Sequence, residues 1–543
     1  MEQRTFLAIV LSLLLLIGYQ YYYMKTHPPK PGVTMEKPAE EKSPAEPQGN
    51  AVAPGAPGTE EAPLKRLAIE KNGGEAKDIT VETPLYTAVF TTRGASLKSF
   101  RLRDYRESLA TDSGPVELVS ATGTGDYPLT VGFRDSTVAI PGGVLYEASA
   151  GSLAVAGGEA PRQLVFSWAY PGEVKVDKIY TFHPGKYTFD LEIKVHNLSN
   201  ITIKENALVA WTHYLDPDAE SDRYSHEGPV AMVKNELVTE KVKNLDERKF
   251  TGPDVQWGGY ETKYFIASIV PEQPSLTGFV MVQDAANVVT TALEGPRNII
   301  PPGQSGTFRY ALYVGPKEYE RLKSEGLGIE RSVDLGGTWI RWLTVPLLSV
   351  LNYIYQYARN YGLAIIILTV FIKLILWPLG TMSYKSMKEM QKLQPKLKEL
   401  QEKFKNDKAK LQQATMEMYR THKINPMSGC LPLLIQIPVF FALYKVLLYS
   451  IELRHAPFYF WIHDLSAKDP YYVTPIIMGA TMFIQQKMTP TPTGNDLQVK
   501  MMMWMPVIFT FLFLSFPSGL VIYWLFSNVL SIGQQYYINR QQT

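Results

Sequence analysis

Cysteine is almost absent from this chain of 543 residues: Cys430 stands alone, so no internal disulfide can form and no thiol pair can cycle. Cys430 borders an apolar run, where a lone thiol ordinarily serves as a small buried hydrophobe. Histidine is scarce as well, with eight in all and none inside an apolar run. No spaced His, Cys or carboxylate cluster offers the ligand set of a zinc site, and no Gly-x-x-x-x-Gly-Lys cradles a nucleotide phosphate. Excess charge is missing too. The chain holds 54 Lys and Arg against 52 Asp and Glu, which argues against a nucleic-acid binder. No catalytic constellation, metal or cofactor is expected, and the chain does not read as an enzyme.

What is present is unevenly spread. Hydrophobic residues make up 45% of the chain, an ordinary share, but they crowd into residues 1–25 and 331–543. A length of 543 also exceeds one ordinary domain, so at least two units of different character are expected. Residues 6–23 are apolar and end in Gln20-Tyr21-Tyr22-Tyr23 before Lys25. A cleavable signal would place small residues at its exit, whereas tyrosines suit a headgroup belt, so an uncleaved anchor over residues 1–25 is expected. Residues 26–63 turn to Pro, Glu, Ala and Gly, as in Lys37-Pro38-Ala39-Glu40-Glu41. Such a stretch cannot bury enough apolar surface to offset chain entropy and reads as a disordered, Pro-rich linker.

Residues 64–330 alternate apolar and polar with period two between turn signals, the signature of half-buried strands. Tyr187, Phe189, Leu191, Ile193 and Val195 interleave with Thr188, Asp190, Glu192, Lys194 and His196. The preceding His183-Pro184-Gly185-Lys186 reads as a hairpin turn back to residues 174–182. Phe308, Tyr310, Leu312 and Val314 repeat the pattern. A sandwich-like antiparallel domain fits, serving either as a binding surface or as a spacer. Residues 331–360 then carry Trp339, Trp342, Leu343, Leu347, Val350, Leu351 and Ile354 at helical spacing, which suggests an amphipathic helix lying on a membrane.

Residues 361–543 read as a five-span core. Spans are expected at 362–380, 431–449, 473–484 and across 501–532, the last too long for one crossing and split at Phe516-Pro517-Ser518-Gly519. Between the first two lies a polar helical stretch, 384–423, with ten Lys and Arg420 against five acidic residues. By the positive-inside rule it faces the cytoplasm. Met387, Met390, Leu393, Leu397, Leu400 and Phe404 recur in steps of three or four, as do Leu411, Ala414, Thr415 and Met418 after Asn406-Asp407. A helical hairpin over 384–424 follows, with Pro395 bending its first arm. Its lysines Lys385, Lys388, Lys392, Lys396 and Lys398 are either a solvated face or a contact surface for emerging chains and ribosomal RNA. The expected fold is a polytopic α-helical membrane protein of six spans, anchor included, with an all-β external domain and both termini in the cytoplasm.

Lys373 is the most informative residue, because an ammonium inside a span costs several kcal/mol unless something solvates it. Two readings stay open. It snorkels to the nearby headgroups, or it faces a wet recess with Thr369 one turn before it. Gln436, Ser527, Asn528, Gln534 and Gln535 place polar groups on other spans, as recess lining or as helix-to-helix glue.

Several stretches resemble those of the YidC/Oxa/Alb family of membrane insertases. They are Asn425-Pro426-Met427-Ser428-Gly429-Cys430-Leu431-Pro432, continuing through Gln436 to Pro438, then Trp461-Ile462-His463-Asp464-Leu465-Ser466, and Phe516-Pro517-Ser518-Gly519-Leu520. The match is strong over residues 339–535, and the large external domain resembles the Gram-negative form, with its periplasmic domain. The resemblance implies an insertase and chaperone that integrates and folds inner-membrane proteins, alone or with the Sec translocon. It implies a hydrophilic groove open to cytoplasm and lipid that receives a passenger's polar tail. Nascent inner-membrane proteins, the ribosome, the signal recognition particle pathway and the bilayer of the cell inner membrane are the implied partners, with no small-molecule substrate. Lys373 aligns with the groove cation, usually arginine in the family, and keeps the charge without the planar fork. Thr369, Tyr523 and Trp524 match substrate-contacting positions. The chain stops at Thr543 without the long basic tail of some relatives, which leaves ribosome contact to the hairpin. A small-solute transporter is the alternative that also places ionisable groups at mid-depth, but neither internal repeats nor an acidic partner for Lys373 is evident. A scaffold that holds subunits without inserting them is the third reading.

Overall fold

The computed structural model describes residues 65–66, 75–121, 127–139, 143–218, 225–405, 407–422, 431–488 and 496–541. The expected anchor, the Pro-rich linker, Cys430 and the start of the 425–438 motif lie outside the described residues.

The alternating segments form antiparallel sheets. Val174–Phe182 pairs with Thr188–Asn197, Phe182 opposite Phe189, around a turn in which Gly185 takes φ +73°, a conformation open to a residue without Cβ. Thr188–Asn197 in turn pairs with Ser305–Pro316, Leu191 opposite Tyr310. These three strands sit within a nine-stranded sheet that also holds Phe265–Pro271, Val255–Glu261 and Arg162–Tyr170. Two five-stranded sheets accompany it. One is built on Ile203–Tyr214 and Val288–Ile300, the other on Tyr86–Thr91 and Ser96–Arg106. Aromatic side chains fill the sandwich: Tyr86 stacks on Phe100 at 4.3 Å, Phe90 meets Tyr180 at 4.7 Å, and Phe182 stacks on Phe189 at 5.4 Å. Each such side chain contributes roughly 1.5–3 kcal/mol on full burial.

Two charges are enclosed in this domain with opposite outcomes. Lys178 donates to the carbonyls of Gly94 at 2.6 Å and of Ala95 and Leu129 at 3.4 Å, stapling two loops, and burial pushes it down to about 7. Glu205 is buried with neither carboxyl oxygen hydrogen-bonded, and burial pushes it up to about 8.

After the sheets come α1 (Tyr319–Glu325) and α2 (Thr338–Ala358). The apolar set expected on one face of α2 divides. Ile340, Thr344, Leu348 and Leu351 pack inward, while Trp339, Trp342, Val350, Tyr353 and Tyr357 are exposed. Next are α3 (Tyr361–Ile375) and α4 (Trp377–Lys392). The segment expected as a span over 362–380 is bent by 63° at this junction. Pro378 explains the bend, since it has no N–H for the carbonyl of Leu374 and its ring clashes there. Asn360 caps α3 by accepting from the Leu363 N–H at 2.9 Å.

The described residues from Lys388 to His422 belong to a different compact unit from the sheets and the other helices, and they hold α5 (Gln394–Lys403) and α6 (Lys408–Thr421). The chain breaks at Leu393, just before Pro395, and Asp407 caps α6 by accepting from the Lys410 N–H at 3.0 Å. Lys396 Nζ meets His422 Nε2 at 3.1 Å, joining the two arms. The remaining helices are α7 (Leu431–Tyr449), α8 (Val473–Met488), α9 (Asp496–Phe513) and α10 (Ser518–Gln541). The Phe516 to Gly519 turn separates the last two. Among the described residues no single helix is long and apolar enough to cross a membrane, whereas α3 and α4 reach that length and apolarity only together, across their 63° bend.

Candidate substrate groove

Helix α10 packs against α3, α7 and α8, and its polar residues divide between two faces. At 3.6 residues per turn, positions 523, 527, 531 and 534 stack along one face, and 524, 528 and 535 along the next. The first face makes a hydrogen-bonded track. Tyr523 is buried one turn before Ser527, and Gln436 Nε2 donates to Ser527 Oγ at 3.4 Å. Ser531 Oγ donates to the Ser527 carbonyl at 2.8 Å, and Lys373 Nζ donates to Ser531 Oγ, also at 2.8 Å. Gln534 Nε2 ends the track, donating to the Trp377 carbonyl at 2.9 Å and to Thr381 Oγ1 at 3.3 Å. From 523 to 534 the track rises roughly 16 Å, about half a bilayer core.

The second face is different. Asn528 Nδ2 donates to Thr481 Oγ1 of α8 at 3.4 Å, and Gln535 Nε2 to the Met488 carbonyl at 2.7 Å. Trp524 sits in an aromatic wall with Phe440 at 4.7 Å, Phe513 at 5.1 Å and Phe509 at 5.9 Å. Of the residues singled out in the sequence, the structure therefore gathers Lys373, Gln436, Tyr523 and Ser527. It sets Asn528 and Trp524 on the neighbouring face. Thr369 is buried and donates to the Ile365 carbonyl of its own helix at 2.6 Å. Sequence reasoning missed Ser531 and Thr381. Ser531 lies one turn after Ser527, the one signal that could have found it.

Lys373 is half-buried, and its hydrogen-bond partner among the described residues is a neutral hydroxyl. Close helix approach frames the track. A Cβ on Gly380 would stand 2.8 Å from the Gln534 amide; away from the track, one on Gly479 of α8 would overlap Thr510 of α9.

At the end of the bundle nearest the β sheets, the 464–467 loop is bonded to the turn between α9 and α10. Ser518 donates through N to the Ala467 carbonyl at 2.7 Å and through Oγ to the Asp464 carbonyl at 2.9 Å, and Gly519 N donates to the Leu465 carbonyl at 2.9 Å. In the same loop the Asp469 carboxylate accepts from Trp461 Nε1 at 2.9 Å, Thr474 N at 2.8 Å and Thr474 Oγ1 at 2.7 Å. Burial opposes its ionisation, yet these bonds hold it below the usual carboxylate range. Arg454 donates to the Glu107 carbonyl at 3.0 Å, and Lys445 pairs with Asp334 at 2.6 Å, so the loop and α7 are pinned to the sheet domain and its connector. Of the lysines singled out in the sequence, Lys385, Lys392 and Lys396 are exposed and Lys388 is half-buried. Lys392 pairs with Glu389 at 2.6 Å, a surface contact worth little. The Lys398 side chain lies outside the described residues.

Family matches cover both the sheet domain and the helical part of the chain. Residues 78–350 match the family described as the YidC periplasmic domain, and residues 353–543 match the 60Kd inner membrane protein family. A membrane protein insertase YidC of Syntrophus aciditrophicus (strain SB) is 53% identical over 546 residues, covering 100% of both chains. Another of that name, from Geobacter metallireducens, is 43% identical over 542 residues, covering 99% of this chain and 98% of that one. Among solved structures, an active YidC insertase with its first transmembrane domain resolved is 21% identical, covering 88% of this chain and 94% of that chain with a TM-score of 0.37.

Proposed function

The chain belongs to the YidC family of membrane protein insertases, and from that premise we propose how its residues move a passenger into the bilayer. It is an insertase of the inner membrane and not an enzyme. The observation that carries the reading is the track on α10, a line of hydrogen-bonding groups inside an apolar helix bundle that leads to a cation with a neutral partner.

A passenger's polar tail enters from the cytoplasm and trades water for the hydroxyls and amides of Gln436, Tyr523, Ser527 and Ser531. Acidic groups in the tail are drawn to Lys373. At about 4 Å and an effective dielectric near 20, such an attraction is about 4 kcal/mol before desolvation. The bonds that tie Ser518 and Gly519 to the 464–467 loop support a groove closed toward the periplasm. The passenger's apolar segment then slides out along exposed Val370, Phe371 and Leu374 of α3 or Val507, Ile508 and Phe511 of α9. Transfer of that segment to lipid drives the step at about 0.8 kcal/mol per buried methylene.

The topology that serves this reading has six spans, with the N-terminal anchor first, α3 joined to α4 as the second and α7 to α10 as the rest. Both termini and the α5–α6 hairpin face the cytoplasm, and the β sandwich of residues 64–330 stands in the periplasm. The exposed tryptophans of α2 support a helix of residues 331–360 at the membrane surface. Lys385, Lys388, Lys392, Lys396 and Lys398 would meet the ribosome or its nascent chain, with the signal recognition particle pathway and the Sec translocon as partners in delivery and folding. The test is insertion into proteoliposomes of passengers whose translocated tails are acidic or neutral. Lys373→Ala should weaken the acidic passenger about tenfold more than the neutral one. Equal impairment of both would remove the attraction from the mechanism.

A further inference from the structure

A lysine in the last turn of a membrane helix has an easy escape, since its four methylenes let the ammonium snorkel to the interface. Lys373 lies in the last turn of α3, yet it crosses to α10 and stops at Ser531 Oγ, 2.8 Å away. The hydroxyl proton of Ser531 is directed to the Ser527 carbonyl at 2.8 Å, so Oγ faces Lys373 with lone pairs only. An ammonium donates three hydrogens and accepts none, which makes this oriented oxygen a matched partner. Because Ser527 is the residue one turn earlier in the same helix, the Ser531 hydroxyl is tied back to the helix that carries it.

The neutrality of the acceptor matters as much as its position. A carboxylate at 531 would hold the ammonium harder but cancel its field. A hydroxyl holds it and leaves the positive charge in the groove. We infer that Ser531 is the positioning residue that keeps the Lys373 ammonium inside the bundle, and that the side chain at 531 thereby sets which charge class of passenger tail the groove favours. This rests on the reading that Lys373 attracts passenger carboxylates and deepens it, since it names what keeps the cation from the headgroups.

The experiment uses the full chain in proteoliposomes and two single-span passengers, identical except for three Asp or three Asn in the translocated tail. The readout is the ratio of acidic to neutral insertion, which a uniform loss of folded protein does not move. Ser531→Ala should lower the ratio about fivefold, and Ser531→Thr, which restores the hydroxyl, should return it to within about twofold of the unmodified protein. Ser531→Asp should lower it at least as far as Lys373→Ala does. In a Lys373→Ala background, Ser531→Ala should change the ratio less than about twofold. An equal fall for both passengers in Ser531→Ala, or an undiminished effect in the Lys373→Ala background, overturns the assignment. If Lys373→Ala itself leaves the ratio unchanged, the attraction reading fails first. If Lys373→Ala lowers it and Ser531→Ala does not, only the role of Ser531 fails.

Discussion

Glu205 and Asp469 show how the same group is treated in opposite ways by its surroundings. Glu205 has no hydrogen-bond donor and is pushed up to about 8 by burial, so the folded state keeps a proton that the unfolded chain gives up above about 4.5. Its contribution to stability is intact below that value and is lost as pH rises through about 8. Glu205→Met should therefore raise stability at pH 8 by on the order of 2–4 kcal/mol and by much less at pH 4.5, as measured by thermal unfolding of the full chain in detergent. Asp469 is held below its usual range despite burial, so its contribution is present above its unfolded value and fades as pH falls. Asp469→Asn removes a charged cap from the start of α8 and should cost about 1–2 kcal/mol at pH 7, with the difference from the unmodified protein shrinking toward pH 3. Asn528 is the residue whose placement most changes its expected role. Because it bonds to Thr481 on the neighbouring face of α10, Asn528→Ala should lower the unfolding temperature while leaving the preference for acidic over neutral passengers within about twofold. A loss of that preference as large as the one from Lys373→Ala would move the groove to the α8 side.

Helices approach most closely where glycine allows it. Gly479 lets Thr510 of α9 lie against α8, and a side chain at 479 would overlap it. Gly479→Leu should force the pair apart and cost roughly 1–3 kcal/mol as overpacking does, seen as earlier thermal unfolding in detergent. The elements themselves were largely legible in the sequence. The alternation at 187–195 and the Gly185 turn gave the central hairpin, Pro395 gave the break before α5, and Phe516-Pro517-Ser518-Gly519 gave the turn between α9 and α10. The bend between α3 and α4 was not, because Pro378 lies in an unbroken apolar run where hydropathy carries no mark of direction. Nor was the division of α10 into two polar faces. A serine or an asparagine in an apolar helix announces polarity but not which neighbour it meets, and that depends on which helices flank it.

The pairing of Thr188–Asn197 with Ser305–Pro316, and of Ile203–Tyr214 with Val288–Ile300, joins strands far apart in the chain, so the sheet order could not be read from local pattern. The same holds for the molecule's two polarities. At one end of the helix bundle the 464–469 loop is bonded to the turn before α10 and held to the sheet domain and its connector through Arg454 and Lys445, and the track on α10 runs from near that turn toward Lys373 and Gln534. The account places a passenger's tail on this track, between α3, α7 and α10. Site-specific photocrosslinking from Gln436, with Thr481 on the neighbouring, α8-facing side of α10 as the reference, tests that placement most directly when a ribosome-bound membrane protein with an acidic tail is the target. Crosslinks to the tail from 436 and none from 481, with or without the Sec translocon present, are the predicted result. Tail crosslinks from 481 and none from 436 would contradict it.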